Sequence, residues 1–248
     1  MNPSFAVVVP MFNEKSGVVK CISQISQSLK QIDANSKIIA VDDGSSDGTS
    51  EILNELLGGY QNLYVLIHKQ NQGYGGALKT GIKKAYELGL TYVLFMDCDL
   101  TNRPADIIRF FKKMQSNADV IKATRYSDGG QVVGVPFKRR ILSRAGNIIA
   151  RKLLRLPITD PTNGFRALRT NLANSFDFKE NGFPIIMEEL YLLSGMKLSY
   201  ENVPVTLTNR SSEGRGSSFS YTPNLLFNYL KYPLMSYFGI QRSKYCEC

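Results

Sequence analysis

Apolar runs too short for helices alternate with helically spaced stretches along the first half of the chain. Phe5 to Pro10 is continuously apolar and closes on proline, as expected of a strand buried on both faces. A helical pattern follows from Val18 to Ile32, and Lys37 to Val41 is a second strand run ending at Asp42-Asp43-Gly44. Asp47 is placed to cap a helix from Glu51 to Leu57. Leu63 to Ile67 is a third strand run, and Gly73 to Leu88 opens with glycines and continues as a helix. Thr91 to Met96 is a fourth strand, Ala105 to Met114 a helix and Ala118 to Ala123 a strand. This alternation predicts an α/β fold on a mostly parallel sheet.

Past residue 130 the rhythm changes. Arg139 to Leu154 reads as a basic amphipathic helix, Asp160 to Arg166 as a loop, and Ala167 to Arg169 as a short strand. Ile186 to Leu193 reads as a helix and Val203 to Leu207 as a strand. Arg210 to Ser218 is polar and glycine-rich, and Pro223 to Ile240 is a last helix rich in Leu, Phe and Tyr. No internal repeat is visible.

The length of 248 residues suits one large domain. No run of about 18 apolar residues occurs, so no membrane-spanning helix is expected. Met1 to Val9 shows no basic leader or cleavage site, so no signal peptide is expected either. The formal charge of +9 points to anionic partners: nucleic acid, lipid headgroups or phosphorylated small molecules. The basic residues are spread out, with one concentration from Lys138 to Arg155, and lack the interleaved aromatics of a nucleic-acid platform. Cys21, Cys98, Cys246 and Cys248 show no metal-ligand spacing with His68, the one histidine. A reducing, cytosolic setting follows, with Cys246 and Cys248 as exposed thiols at a chain end.

Candidate chemistry falls where strands end, the side on which parallel α/β sheets bind ligands. Asp97 and Asp99, at i and i+2 after a strand, point to one side of an extended chain and suit a hard cation carried by phosphates. A solvated strand end is the plainer alternative. Asp42 and Asp43 can accept hydrogen bonds from a base or a ribose; a turn followed by the Asp47 cap is the alternative. Asn71 to Lys79 brings glycines and a helix N-terminus, which favour anions, and Lys79 reaches toward a diphosphate. Arg139, Ser143 and Asn147 share a helix face, with Arg125 and Arg166 as further cations near loops. His68 is assigned a structural role. Glu188 and Glu189 lie in a helix, and spacing leaves open which faces the cleft.

The stretches VVVPMFNE, VDDGSSDGT, NQGYGGALKTGI, FMDCDL, ATRYSDGG, RRILSRAGN and DPTNGFRALR occur in order along the chain from Val7 to Arg169. Together they resemble the family-2 glycosyltransferases of GT-A fold, above all the dolichol-phosphate mannose synthases and bacterial polyprenyl-phosphate glycosyltransferases. The resemblance implies a Rossmann-like, mixed but mostly parallel sheet flanked by helices. It implies one domain over residues 1–220, with a nucleotide-sugar half (1–125) and an acceptor half (126–220), then an amphipathic helix and tail over 221–248. It implies inverting transfer from a GDP- or UDP-sugar to a polyprenyl or dolichyl phosphate, with Mg2+ or Mn2+, by an enzyme peripheral on the cytoplasmic face of a membrane. A membrane-protein partner is compatible with it; nucleic acid is not expected.

By position, Pro10, Phe12, Glu14, Asp42 and Asp43 would hold the nucleoside, and Lys79 would approach the diphosphate. Asp97 and Asp99 would position the metal, mainly through Asp99. Arg125, Arg139 and Ser143 would bind the acceptor phosphate, and Arg210 would close over the donor phosphates. Two departures stand out. Thr101 occupies a position where relatives often carry a metal-reaching Gln, and the C-terminal membrane helices of many bacterial relatives are not seen, so the last helix is expected to lie flat on a membrane. Two other readings compete. One is transfer to a sugar hydroxyl, which wants a carboxylate base such as Glu188 or Glu189; the other is an inactive nucleotide-binding subunit.

Overall fold

The computed structural model describes residues 2–32, 35–133, 137–208 and 223–240. Its centre is a seven-stranded sheet in the order β3-β2-β1-β4-β7-β5-β8. Strand β1 (Phe5–Met11) lies in the middle and pairs in parallel with β2 (Ser36–Asp42) and β4 (Tyr92–Phe95). Its residues Phe5 to Val9 have no exposed surface, because helices cover both faces of the sheet. Phe5, Val7, Val8 and Val9 each contribute about 1.5–3 kcal/mol of burial, which is why the run is apolar without alternation.

On one face α1 (Val18–Leu29) inserts Val18, Cys21, Ile22, Ile25 and Leu29, the helical stripe read from the sequence. The helix stops at Leu29, short of Ile32, where Lys30 caps its last turn. Strand β3 (Leu63–Ile67) forms the far edge, and α2 (Thr49–Leu57) packs beside it. Asp47 is not the N-cap residue of α2. Gly48, at φ 95°, holds that position, and Asp47 acts from one residue earlier. Its Oδ1 accepts from the Thr49 N–H and hydroxyl, and its Oδ2 from the Lys15 N–H.

On the other face α3 (Tyr74–Glu87) lies close to the sheet. A Cβ on Gly81 would fall 2.3 Å from Val8 Cγ1, so only glycine permits this approach. A 3-10 turn (Pro104–Asp106) leads into α4 (Ile107–Gln115), and β5 (Val120–Thr124) follows. The short β6 (Gln131–Val132) precedes the basic helix α5 (Phe137–Leu154).

Strand β7 (Arg166–Arg169) enters antiparallel between β4 and β5. The sheet therefore takes strands from both sides of residue 125. Helices α6 (Thr170–Asn174) and α7 (Ile185–Leu193) follow. The strand expected over Val203 to Leu207 is two strands. β8 (Tyr200–Pro204) pairs with β5, and β9 (Thr206–Leu207) pairs with β6. Val205 makes the step between them, donating to the Thr124 carbonyl and accepting from the Gln131 N–H.

The last helix, α8 (Pro223–Tyr237), packs on α5 and α7. It ends three residues before the expected Ile240, close to Gly239 at φ 65°. Among the described residues, no helix is long and apolar enough to cross a membrane.

Candidate active site

A cleft of about 600 Å³ opens beyond the carboxyl ends of β1, β2 and β4. Pro10, Phe12 and Glu14 form one wall, Asp43, Asn71, Gly73 and Tyr74 the next, and Asp97 and Asp99 the third. Thr162, Gly164, Phe183, Ile186 and Tyr229 complete it. Four strand-end loops read from the sequence, at Pro10 to Glu14, Asp43, Asn71 to Gly73 and Asp97 to Asp99, thus converge with the loop over Asp160 to Arg166 on one cavity, while Arg125 is not part of its lining.

At the β2 end the two acids behave differently. Asp43 lines the cleft at 3% exposure; its Oδ1 accepts from the Gln72 N–H at 2.8 Å and its Oδ2 from the Gly73 N–H at 2.8 Å. His68 Nδ1 lies 2.7 Å from Asp43 Oδ1, and its Nε2 lies 2.9 Å from the Thr80 hydroxyl. His68 is therefore built into the frame around Asp43. Asp42, expected beside the nucleoside, lies behind that wall with no exposed surface. Ser45 donates to its Oδ1 through N–H and hydroxyl, and Ser50 to its Oδ2. Lys79, expected near a diphosphate, donates to Asn181 Oδ1 at 2.5 Å and is not part of the cleft lining.

At the β4 end both Asp97 and Asp99 face the cleft, but not as alternate residues of a strand. β4 stops at Phe95, and Cys98-Asp99 forms a turn followed by Leu100 at φ 57°. The turn buries Cys98 beside Cys21 while carrying both acids to the surface of the cleft. Hydrogen bonding with Cys21, then burial, pushes the Cys98 thiol well above its usual range. The Tyr74 hydroxyl donates to Asp97 Oδ1 at 3.3 Å. Burial, then the charge of Asp97, holds that phenol well above the usual value. Thr101 turns its N–H and hydroxyl onto Asp99 Oδ1.

Of the residues expected at an acceptor phosphate, Arg125 meets Thr162 directly and Ser143 lies one bond farther off, its carbonyl taken by Asn147. Arg125 donates two hydrogen bonds to Asp160, Nε to Oδ2 at 2.6 Å and Nη2 to Oδ1 at 2.8 Å, and Nη2 also donates to Thr162 Oγ1 at 2.9 Å. Asn147 bonds Thr162 from α5, and Ser143 meets the Tyr126 hydroxyl at 3.1 Å. Arg139 belongs to α5 by its backbone; its side chain, all of Arg210, and Cys246 and Cys248 lie outside the described residues.

Arg166 is not a loop cation. It starts β7, is 1% exposed, and forms a two-pronged ion pair with Glu189 at 2.7 Å per bond. Burial works against its charge, but Glu189 outweighs it and raises the guanidinium further. Glu188 accepts the N–H groups of Lys179 and Glu180, and burial raises its pKa despite them. Neither glutamate lines the cleft. Lys122, without exposed surface on β5, donates to the Asn163 carbonyl, and burial, then Arg166, lowers its pKa to about 7.

Sequence reasoning missed Tyr74, Thr162, Gly164, Phe183, Ile186 and Tyr229 as cleft residues. Tyr74, Thr162 and Gly164 sat inside quoted motifs; Phe183, Ile186 and Tyr229 come from segments with no motif at all.

The donor set suits a small hard cation. Asp97 and Asp99 offer carboxylate oxygens in one cleft, and Mg2+-type ions are held by one or two carboxylates plus substrate phosphates. Among the described residues, no group of three or more His, Cys, Asp or Glu could form an all-protein cage.

Residues 6–176 match the family described as Glycosyl transferase family 2. The dolichol-phosphate mannosyltransferase of Pyrococcus furiosus is 31% identical over 240 residues, covering 94% of this chain and 64% of that protein. The chain thus spans under two thirds of that relative's length. The polyprenol monophosphomannose synthase of Mycolicibacterium smegmatis is 28% identical over 208 residues, covering 82% of this chain and 77% of that protein. Among solved structures, glucosyl-3-phosphoglycerate synthase from Mycobacterium tuberculosis, in complex with Mn2+, uridine diphosphate and phosphoglyceric acid, superposes with a TM-score of 0.67 at 21% identity. It covers 97% of this chain and 80% of its own.

Proposed function

The chain belongs to glycosyl transferase family 2, with the GT-A fold, and from that premise we propose that it transfers a sugar from a nucleoside diphosphate to a polyprenyl or dolichyl phosphate. The names of the two mannosyl-transferring relatives support a lipid-phosphate acceptor. The Mn2+ and uridine diphosphate in the M. tuberculosis structure support a metal-bound nucleotide donor.

The observation that carries the reading is the state of Glu188 and Glu189. Both are tied to internal partners, one to backbone N–H groups and one to Arg166. Transfer to a sugar hydroxyl wants a carboxylate base at the reacting oxygen. A phosphate monoester is already ionised, so its oxygen attacks the anomeric carbon without losing a proton. The bond from that carbon to the diphosphate breaks as the new one forms, the diphosphate leaves with the electron pair, and the configuration inverts.

In this reading Pro10, Phe12, Glu14 and Asp43 hold the nucleoside, with Asp42 and His68 as frame. Asp97 and Asp99 would hold Mg2+ or Mn2+, which when bound neutralises charge on the departing diphosphate. Arg125, which holds Asp160 and Thr162 just outside the cleft lining, and Ser143, bonded to Tyr126, would turn to the acceptor phosphate when it binds, aided by Arg139; Arg210 covers the donor phosphates. The work of the protein is to bring two mutually repelling anions together in line.

The reading also places the enzyme at a membrane surface. On α5, Ile141, Ile148 and Ile149 are about half exposed and are flanked by exposed Arg144, Arg151, Lys152 and Arg155. On and just past α8, which packs against α5, Phe227 and Phe238 are 69% exposed, with Tyr237 and Ile240 close behind. Apolar side chains ringed by cations suit an anionic lipid interface. The acceptor class is tested by offering polyprenyl phosphate, free polyprenol and an oligosaccharide side by side and identifying products by mass spectrometry. Glycosylated lipid phosphate alone is expected; a product from either hydroxyl acceptor instead contradicts the reading.

A further inference from the structure

We infer that Tyr74 is a positioning residue for Asp97, holding one oxygen of this acid and so setting how it meets the metal–diphosphate. The inference rests on the proposed function.

A buried ion pair lies behind this part of the cleft. Glu189 takes Nε and Nη2 of Arg166, and the Gly164 carbonyl takes Nη1 at 2.8 Å. The guanidinium lies 4.4 Å from the Phe95 ring centroid. The Tyr74 phenol donates to Asp97 Oδ1. What Tyr74 offers Asp97 is a hydroxyl dipole held in place by its ring.

The ring itself is locked. It stacks on Phe183 with centroids 4.8 Å apart and planes 28° from parallel. Gly164 closes the other side: a Cβ there would lie 3.3 Å from the Tyr74 oxygen and 3.5 Å from Asp97 Oδ2. Packing alone would be served by phenylalanine. The hydroxyl is the extra feature, and its partner is the acid on the cleft wall. A donor fixed on one carboxylate oxygen sets the rotation of the group and so the direction in which the other oxygen points. Outer groups of this kind commonly change metal affinity by about 10–100-fold when removed. Asp99 is held in the same manner by Thr101, so each acid of the pair has one oxygen assigned to a hydroxyl of the protein.

The test is Tyr74→Phe, which keeps the stacking on Phe183 and removes the donor. Free Mn2+ is titrated by electron paramagnetic resonance against wild type and variant, alone and with uridine or guanosine diphosphate. Gly164→Ala, whose methyl group crowds the Tyr74 oxygen while only touching Asp97 Oδ2, is a second probe should Tyr74→Phe fold poorly. We expect either variant to bind Mn2+ with nucleotide about tenfold more weakly, and Tyr74→Phe to raise the metal requirement of transfer more than it lowers kcat. Tight binding by the wild type together with unchanged binding by both variants overturns the role of Tyr74 and leaves the proposed function standing. No nucleotide-dependent Mn2+ binding by the wild type overturns both.

Discussion

Thr101 gives both its backbone N–H and its hydroxyl to a single oxygen of Asp99, at 3.0 and 2.9 Å. The residue that departs from the relatives' motif is thus spent on orienting the acid beside it and is not left over. Thr101→Val keeps the shape and the N–H bond but loses the hydroxyl. Its metal requirement should rise by up to about tenfold, and Thr101→Ser should restore it. Asp99→Ala should abolish metal-dependent transfer. Initial rates across a Mn2+ series distinguish these outcomes; a Thr101→Val curve matching the wild type would mean the hydroxyl does nothing for the site.

The ion pair of Arg166 and Glu189 should be costly to break from one side. Glu189→Gln keeps the volume and leaves a buried guanidinium without its counter-charge, a loss of about 3–5 kcal/mol. Replacing both partners with apolar residues, Arg166→Met with Glu189→Leu, should recover much of that stability. The check is urea denaturation of the three proteins; equal midpoints for single and double variants would refute the coupling.

The strands were legible in the sequence wherever both faces are covered, because such runs need no alternation to stand out: β1 and β2 are examples. β6 was not, and β9 read only as the end of one strand over Val203 to Leu207, since two-residue strands exist as such only through their pairing with each other. The split at Val205 belongs to the same class. Arg166 read as a loop cation because its partner lies 23 residues away on α7, and no local pattern records an ion pair across that distance. The five converging loops were legible from their glycines and acids. Tyr229 was not: α8 turns Tyr229 and Tyr232 toward the cleft side, where Tyr232 donates to Glu180, while Phe227 faces solvent. Its aromatic richness reads equally well as a surface stripe.

Lys122 predicts a pH dependence of stability. In the unfolded chain it titrates near 10.5, and in the fold at about 7. Below pH 7 both states are protonated and the fold carries the cost of the buried charge. Between pH 7 and 10.5 the unfolded chain holds more protons, so this residue's contribution makes stability rise with pH. Lys122→Met should flatten that rise. Urea midpoints at pH 6.5 and 9 for both proteins measure it; parallel changes in the two would contradict the assignment.

Gly81 predicts a packing defect. A methyl group there collides with Val8 Cγ1 on the central strand, and overpacking of this kind costs about 1–3 kcal/mol. Gly81→Ala should lower the melting temperature, and adding Val8→Ala should give back part of the loss by opening room. Additive losses in the double variant would show that the two residues do not press on each other.

The aromatic side chains of α8 predict lipid binding. Phe227→Asp with Phe238→Asp should reduce co-flotation with vesicles rich in anionic lipid, while transfer to a short, water-soluble polyprenyl phosphate stays near wild type. Undiminished flotation would remove this surface from the account.

The central claim is that a sugar moves from a nucleotide to a lipid phosphate. The most direct measurement incubates the protein with radiolabelled uridine- and guanosine-diphosphate sugars, Mn2+ and polyprenyl phosphate, then extracts with organic solvent. Label in the organic phase, dependent on metal and lost in Asp99→Ala, is the predicted result. Donor hydrolysis with all label left in water would contradict it.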